Sequence, residues 1–424
     1  MKIGYKDLFV KLYMYVICIL MIFSDFLTLT LPSIYQYIII LCGMIAIFFL
    51  AIGNCLRIKT DLLSLLIIGM FLMVLLNNSQ VYTYCIYFLV LFSVLVSRSV
   101  SIKYYEKLIS VFLYGYLIFA AATIFLYFNK SIYMSYVVPL FPQYSKEMVY
   151  CYDIGYMTGL TANYARNGSM LSMGLIIAVS RLYNKRNIKI VSCIFIILFI
   201  IALVLTCKRA HTLFMLVTLL FIIFLHMSDK PGIRMLRMFG IGIVLLALFP
   251  VLIDNIPQLA NVVNRFSDIA EDEAVQNRFM IWNIALTTFA ENMCFGVGWG
   301  NFMSYTEQSL GQAWNAHNMF LQFLCETGIV GTIIFMSFIV FVYFQSIKIF
   351  VGLRTSRISL PGNALQNISF SVGVQTFTLL YSFTGSPLTD VKIYIPYYTG
   401  CIFTIIYYSY LRTYGRKRLK VSGA

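Results

Sequence analysis

Apolar runs of about twenty residues, separated by short basic loops, recur along most of this 424-residue chain. A run of that length is what an α-helix needs to cross a bilayer core of about 30 Å. Hydrophobic residues make up 61% of the chain and charged residues 11%, against about 45–50% and about 25% in soluble domains. The sequence therefore predicts an all-α polytopic membrane protein.

The hydropathy pattern predicts about twelve transmembrane helices in a single transmembrane domain over residues 1–424. They are expected at about residues 9–31, 34–56, 62–76, 80–97, 107–128, 167–183, 188–206, 210–227, 236–254, 317–346, 367–386 and 391–411. The third and sixth runs are short for a full span, so these two are the weakest parts of the count. The sequence shows no internal repeat and no separate soluble domain.

The distribution of basic residues predicts the orientation of these helices. The chain begins with a basic head and an apolar run without a small-residue cleavage site, which favours a retained first helix over a signal peptide. With Met1 in the cytoplasm, twelve spans place 23 of the 31 basic residues inside, as the positive-inside rule requires. Both termini are then cytoplasmic, and the net charge of +15 is explained without a nucleic-acid partner.

Two long extracytoplasmic loops follow from this topology, at about residues 129–166 and 255–316, the second between helices 9 and 10. The second loop is acidic, and its segment from Ser267 to Ala290 is predicted to be helical, with Ser267 as the cap and acidic residues in the first turn. Long loops in compact proteins are usually functional. We therefore look for a site on the outer side.

Eight basic residues remain outside, and the topology gives no reason for them. They are Lys130, Lys146, Arg166, Lys208, Arg209, Arg265, Arg278 and Lys392. Lys208 and Arg209, in TCKRAHTL, either extend towards lipid phosphates or bind the phosphate or diphosphate of a headgroup, for which arginine is well suited. Arg278 and Arg166 pair with loop carboxylates such as Glu273, or join the same diphosphate site.

His317 stands where the acidic loop returns to the membrane, and it is the candidate catalytic residue. A histidine there can act as a general base for a sugar hydroxyl, or it can be structural. The run FGVGWGNF places Gly296, Gly298 and Gly300 at alternate positions. These glycines permit positive φ angles and serve either a substrate loop or a turn that packs Trp299 against the membrane surface.

The carboxylates within predicted spans and the cysteines bear on which kinds of chemistry the protein could perform. Asp25 and Glu326 are carboxylates within predicted spans, which makes them functional candidates. The ten cysteines have no metal-binding spacing, and only Cys151 and Cys294 fall in outer loops where a disulfide could form. We expect no metal and no cofactor.

These motifs resemble the superfamily of bacterial O-antigen polymerases (Wzy) and O-antigen ligases. The resemblance lies in TCKRA, in RFMIWNIALTTFAENMCFGVGWGNF and in HNMFLQFLCETGIVG, with GLTANYARNGSM as a further glycine and asparagine segment. It implies a metal-independent glycosyltransferase in which Arg209 and Arg278 bind the diphosphate of an undecaprenyl-diphosphate sugar and His317 assists the acceptor hydroxyl. Lys208 and Ala210 depart from the small residue and glycine that usually flank the first arginine.

The resulting expectation is a polymerase that joins undecaprenyl-diphosphate-linked repeat units into capsule, exopolysaccharide or O-antigen. It would act on the outer face of the bacterial inner membrane, among membrane lipids and alongside a flippase and a chain-length regulator. The nearest alternative is a ligase that passes the glycan to another acceptor. A transporter or flippase is the alternative from another class, although its usual repeats and broken helices near the midplane are not visible in the sequence.

Overall fold

The computed structural model describes residues 5–35, 37, 38, 41, 44, 45, 58–76, 81–184, 189–227, 230–255 and 273–421. Across these ranges the secondary structure is helical, with turns between helices and no strand. The predicted all-α class is confirmed. Most of the predicted span at 34–56 lies outside the described residues, as do the predicted cap Ser267 and the acidic segment that follows it.

The longer described helices follow one another along the chain. The first seven are α1 (Tyr5–Ile22), α2 (Ser24–Thr30), α3 (Leu62–Leu75), α4 (Val81–Val96), α5 (Ile102–Phe128), α6 (Ser145–Asp153) and α7 (Tyr164–Ser180). The next eight are α8 (Lys189–Leu205), α9 (Arg209–His226), α10 (Pro231–Asn255), α11 (Glu273–Glu291), α12 (Phe302–Leu310), α13 (Met319–Arg354), α14 (Ala364–Tyr381) and α15 (Val391–Val421). Short helical turns lie at Ser97–Ser99, Lys130–Ile132, Tyr133–Val137, Val138–Leu140, Pro142–Tyr144, Arg181–Tyr183 and Pro387–Thr389.

The length and composition of several helices fit a membrane. Among the described residues, α5, α9 and α13 are long and apolar enough to cross it, and α1 with α2 would form a further span bent by 70°. Shorter apolar helices are α3, Tyr87–Ser99 and α8. These helices support the membrane character of the protein, while the count of twelve spans stays a prediction.

Two helices rich in small residues, α7 and α14, lie at the centre of the bundle. Every residue of α7 from Asn167 to Ser180 is buried, and so is every residue of α14 from Asn367 to Thr378. Small side chains let such helices approach closely in a membrane. Gly174, for example, lies directly against the Phe199 ring of α8, where a Cβ atom would overlap the ring.

The described parts of both predicted outer loops are largely helical. The first contains α6 and a turn in which the buried Tyr133 hydroxyl lies 2.8 Å from the Thr158 hydroxyl. The second contains α11 and α12, so the helix predicted from Ser267 to Ala290 is present from Glu273 onward. Cys151 and Cys294 are both free thiols, so they do not form a disulfide.

Candidate functional site

A polar cavity of about 500 Å³ lies where the ends of α2, α7, α14 and α15 meet the loop that precedes α13. We call it the polar cavity. Its lining includes Asp25, Arg166, Asn315, His317, Tyr381 and Lys392, together with several serine and threonine side chains. The fold thus brings the predicted base, one predicted diphosphate ligand and three further charged residues, Asp25, Asp390 and Lys392, to one place.

His317 has a backbone conformation that few residues other than glycine adopt. Its φ angle is +50°, in the left-handed region, and the residue lies just before α13. Such conformations cost free energy and persist where neighbouring structure holds them, often at functional sites. The imidazole lies beside the Trp314 ring, with 5.7 Å between ring centroids.

Hydrogen bonds on both sides hold the His317 backbone in place. The Ala316 amide donates to Gln322 Oε1 at 2.7 Å, and the Ala316 carbonyl accepts from the Trp282 indole at 2.9 Å. On the other side, the Met319 amide donates to the Ser382 carbonyl at 2.8 Å. His317 is therefore fixed between α11, α13 and the end of α14.

Glu326 supports this arrangement from inside α13. Its carboxylate is buried and accepts a hydrogen bond of 2.7 Å from Gln322 Nε2, whose Oε1 holds Ala316. The backbone amide of Phe302, at the start of α12, lies 3.4 Å from the same carboxylate oxygen. Glu326 thus connects α12 to the residue beside His317 without touching His317 itself.

Two of the predicted diphosphate ligands act on His317 through their charge. Burial, together with the positive charges of Arg278 and Lys208, lowers the pKa of His317 to about 4. Arg278 lies one helical turn before Trp282 on α11, so the indole bond to Ala316 also fixes Arg278 relative to the histidine. The histidine is neutral at physiological pH and can accept a proton.

Lys208 and Arg209 begin α9, after a turn in which Cys207 has a φ of +51°. Both side chains are half-buried, and the Lys208 ammonium lies 5.4 Å from the centroid of the Tyr164 ring. A helix amino terminus carries a partial positive charge and donates backbone hydrogen bonds to anions. Two cations at such a terminus make this turn suitable for a phosphate group.

Arg166 is the fourth predicted diphosphate ligand, and in the structure it pairs with Asp25. The guanidinium lies 3.3 Å from Asp25 Oδ1, and the buried ammonium of Lys392 lies 2.5 Å from the same oxygen. Lys392 also lies 3.8 Å from Asp390. Two features in the sequence pointed towards this cluster, the carboxylate in the first predicted span and the outer lysine, but neither predicted that they would meet.

The three glycines of FGVGWGNF all have positive φ angles, as predicted. The run packs against a break in α13 at Gly328: the Val297 amide donates to Cys325 O at 2.9 Å, and the Gly298 amide to Glu326 O at 2.8 Å. Trp299 is buried, and its ring stacks on Phe335 at 5.2 Å. The run therefore lies against α13, and Trp299 belongs to the helix core instead of the membrane surface.

The other two histidines make contacts within the bundle. His226 stacks on Tyr183 and lies 3.1 Å from the Ser369 hydroxyl, as expected for a structural residue. His211 is buried, with Nε2 at 3.1 Å from the Ser169 hydroxyl and its ring 4.5 Å from that of Tyr381. His211 thus ties the start of α9 to α7 and α14, which supply Arg166 and Tyr381 to the polar cavity.

One known protein family matches the middle part of the chain. Residues 193–336 match the family model described as O-antigen ligase. The match confirms the predicted resemblance to the O-antigen ligase and polymerase superfamily. This ligase-family region contains Lys208, Arg209, Arg278, His317 and the glycine run, whereas Arg166 and the Asp25–Lys392 pair lie outside it. No curated protein matches the chain.

Proposed function

We propose that this protein is a glycosyltransferase that joins lipid-diphosphate-linked oligosaccharide repeat units into a polysaccharide on the outer face of the bacterial inner membrane. The observation that carries the proposal is the position of His317, which lines the polar cavity within the field of Arg278 and Lys208. The O-antigen ligase family match over the same residues supports it.

The chemistry assigned to these groups is an exchange at the sugar's anomeric carbon. The acceptor hydroxyl gives its proton to His317 while its oxygen attacks that carbon, and the bond from the carbon to the lipid diphosphate breaks. Arg209, Arg278 and Lys208 stabilise the negative charge that stays on the departing diphosphate. Undecaprenyl is the lipid we propose for it, and the reaction so written calls for no metal.

Binding of the donor raises the pKa of His317, which favours its role as a base. A diphosphate beside Arg278 and Lys208 offsets their positive charge, which otherwise lowers the pKa of His317. The histidine therefore becomes a stronger base when the donor is in place. The glycine run, which connects α11 to α12 in the same region, is our proposed substrate loop.

A ligase is the second candidate, because the matching family model is described as O-antigen ligase. A ligase would pass the glycan to a different acceptor, and the cavity residues suit either acceptor. The length of the glycan in a strain that lacks this protein separates the two. Single repeat units indicate a lost polymerase, whereas long unattached polymer indicates a lost ligase. Normal glycan in both length and attachment would contradict both functions.

A further inference from the structure

Two buried polar side chains inside α13, Gln322 and Glu326, form a pair that the chemistry proposed above does not use. Their exposed fractions are 0% and 1%. They stand four residues apart on one face of the helix, and the Gln322 amide donates to the Glu326 carboxylate at 2.7 Å. Ionisable groups within membrane helices are costly and usually serve a function. A role beyond packing is therefore expected for this pair.

The carboxylate of Glu326 is only partly satisfied by the surrounding protein. One oxygen, Oε1, accepts from Gln322 and lies 3.4 Å from the Phe302 amide. The other, Oε2, is buried and has no hydrogen-bond partner among the described residues. A buried polar atom without a partner costs free energy of folding. Stability alone therefore does not account for a glutamate at this position.

The carboxylate fixes the direction in which the Gln322 amide points. An ionised carboxylate accepts hydrogen bonds and donates none, whereas a glutamine amide has one accepting end and one donating end. Because Nε2 of Gln322 donates to Glu326, its Oε1 faces the Ala316 amide, which donates to it at 2.7 Å. The reversed amide would set two N–H donors against each other. Glu326 thus controls the bond to Ala316 without contacting that residue.

The bond to Ala316 in turn sets the position of His317. Ala316 directly precedes the histidine, and Asn318, which directly follows it, caps α13 through its side chain. His317 therefore has a fixed residue on either side, and these hold its backbone at a φ of +50°. The direction of a side chain follows from its backbone, so the Gln322 amide determines how the imidazole enters the polar cavity.

We propose that Gln322 and Glu326 are positioning residues that hold His317 in the geometry that its role as a base requires. This assignment rests on the proposed function, in which His317 takes a proton from the acceptor. Glu326 has a second contact that Gln322 lacks, because it also receives the amide of Phe302, the last residue of the glycine run. The same carboxylate thus connects the proposed substrate loop to the base.

The first experiment measures kcat and KM for glycan transfer, with the full-length protein in membranes. Gln322→Met removes the amide from a chain of similar length and should lower kcat about 10- to 100-fold at nearly constant KM, since a misplacement of about 1 Å can cost that much. Glu326→Leu should lower kcat similarly and also raise KM for the donor, because it releases the glycine run. Glu326→Gln keeps an acceptor for the Gln322 amide and should retain most of the activity.

Two comparisons separate positioning from a general effect on the fold. Thr327→Val is the matched control, because Thr327 is also buried in α13 but its hydroxyl donates within the helix, to Phe323 O at 2.8 Å. Its kcat should be unchanged. Adding Gln322→Met to His317→Gln should cause no further loss, because Gln322 acts through the histidine. A further tenfold loss in that double variant, or equal losses in Gln322→Met and Thr327→Val, would overturn the proposal.

A chemical probe of the histidines keeps this proposal separate from the proposed function. Diethyl pyrocarbonate modifies accessible imidazoles, and mass spectrometry gives the rate at each one. The rate at His317 should rise severalfold in Gln322→Met and in Glu326→Leu, because its imidazole is no longer held. His211, which is fully buried, is the internal reference and should stay unreactive.

Each result of the probe has a definite meaning. An unchanged rate at His317 would contradict the positioning role whether or not glycan is transferred. A rise at His211 as well would show that the pair only stabilises the bundle, which also overturns the proposal. A rise at His317 alone, in a protein that transfers no glycan, would support the positioning and contradict the glycosyltransferase. If Gln322→Met fails to accumulate in membranes, Glu326→Leu decides the result.

Discussion

The residue on which the proposed chemistry depends is His317, and its surroundings fit a base better than a structural histidine. A structural histidine usually has both ring nitrogens engaged in a packed core, whereas His317 lines a cavity and is held chiefly through the backbone of its neighbours. Its left-handed φ of +50° costs free energy that the surrounding contacts must offset, as is common at functional sites, and its side chain lines the cavity.

Replacement of His317 tests its role as a base. His317→Ala and His317→Gln should both lower turnover by roughly 10² to 10⁴, the usual contribution of general base catalysis, with donor affinity nearly unchanged. Turnover and donor binding are measured on purified protein in membranes. A fully active His317→Gln would remove the histidine from the mechanism, because glutamine keeps a hydrogen bond but is not a base.

The pH dependence of the reaction should reflect the low pKa of His317. Burial and the charges of Arg278 and Lys208 place that pKa at about 4, so kcat/KM should fall only as the pH drops through about 4, well below the reference of about 6.5. The fall of kcat at low pH should occur at a higher pH than the fall of kcat/KM, because bound diphosphate offsets those positive charges. Arg278→Gln should raise the pKa. An acidic limb of kcat/KM unchanged by that variant would contradict the assignment.

Replacement by alanine and by lysine should show whether Arg209 and Arg278 act through a guanidinium group or through positive charge alone. Arg209→Ala and Arg278→Ala should each lower the rate of polymer formation about 10- to 150-fold without loss of protein from the membrane, since each removes a charge-assisted contact that contributes about 1.5–3 kcal/mol. Lysine should restore little at a bidentate site. Full polymer length in Arg209→Lys would show that a point charge suffices there. Membrane abundance of each variant is the control.

The sequence indicated which residues form this site better than it indicated the contacts between them. Lys208, Arg209, Arg278 and His317 stood out because cations and a histidine are unusual in outer loops. The ion pair between Asp25 and Lys392 could not be predicted, since it joins α2, near the start of the chain, to α15, the last described helix. Such a contact depends on packing of the whole bundle, which no local pattern encodes.

At the scale of elements, the break in α13 is the feature that shapes the site. Gly328 has a φ of +62° and interrupts an otherwise continuous helix of 36 residues. Backbone groups of α13 that lose their helical partners at the break bond instead to the glycine run and to the residues just before it. For example, the Ile329 amide donates to Met293 O at 2.8 Å. The glycines at 296, 298 and 300 were predicted to have positive φ, but the break was hidden inside an apolar run, where hydropathy carries no information on it.

Alanine at these glycines should show how much the break contributes to stability. At Gly296 a Cβ atom would overlap the backbone of Glu326, and at Gly328 that of Cys294. Gly311 is the matched control, because it has a φ of +71° but no atom near its Cβ position. Gly311→Ala should cost only about 1–2 kcal/mol, for the left-handed backbone, whereas Gly296→Ala and Gly328→Ala should lower thermal stability clearly more. Equal losses in all three would mean that the close backbone approach contributes nothing.

At the scale of the molecule, hydropathy predicted the class and most helix positions, and it did less well at the ends of elements. The predicted span at 210–227 corresponds to α9, and the predicted span at 107–128 lies within α5. The described parts of the predicted outer loops contain helices that the hydropathy pattern did not show as spans, because amphipathic helices such as α12 carry too little hydrophobicity. Tertiary hydrogen bonds hold the second of these loops in place. The Trp282 indole donates to the Ala316 carbonyl, and the Phe302 amide donates to the Glu326 carboxylate.

The orientation of the bundle is the last prediction, and the proposed chemistry depends on it. In the proposed reaction the donor lies on the outer face, which requires the polar cavity to open to the same side as α12. Glu307, exposed on α12, is predicted to be outside, and Arg357, exposed after α13, inside, because this arrangement retains most basic residues in the cytoplasm. In a background without the exposed thiols of Cys193 and Cys294, Glu307→Cys should react with an impermeant maleimide in intact cells. Arg357→Cys should react only after the membrane is made permeable. The reverse pattern would place the polar cavity on the cytoplasmic side and exclude a reaction on the outer face.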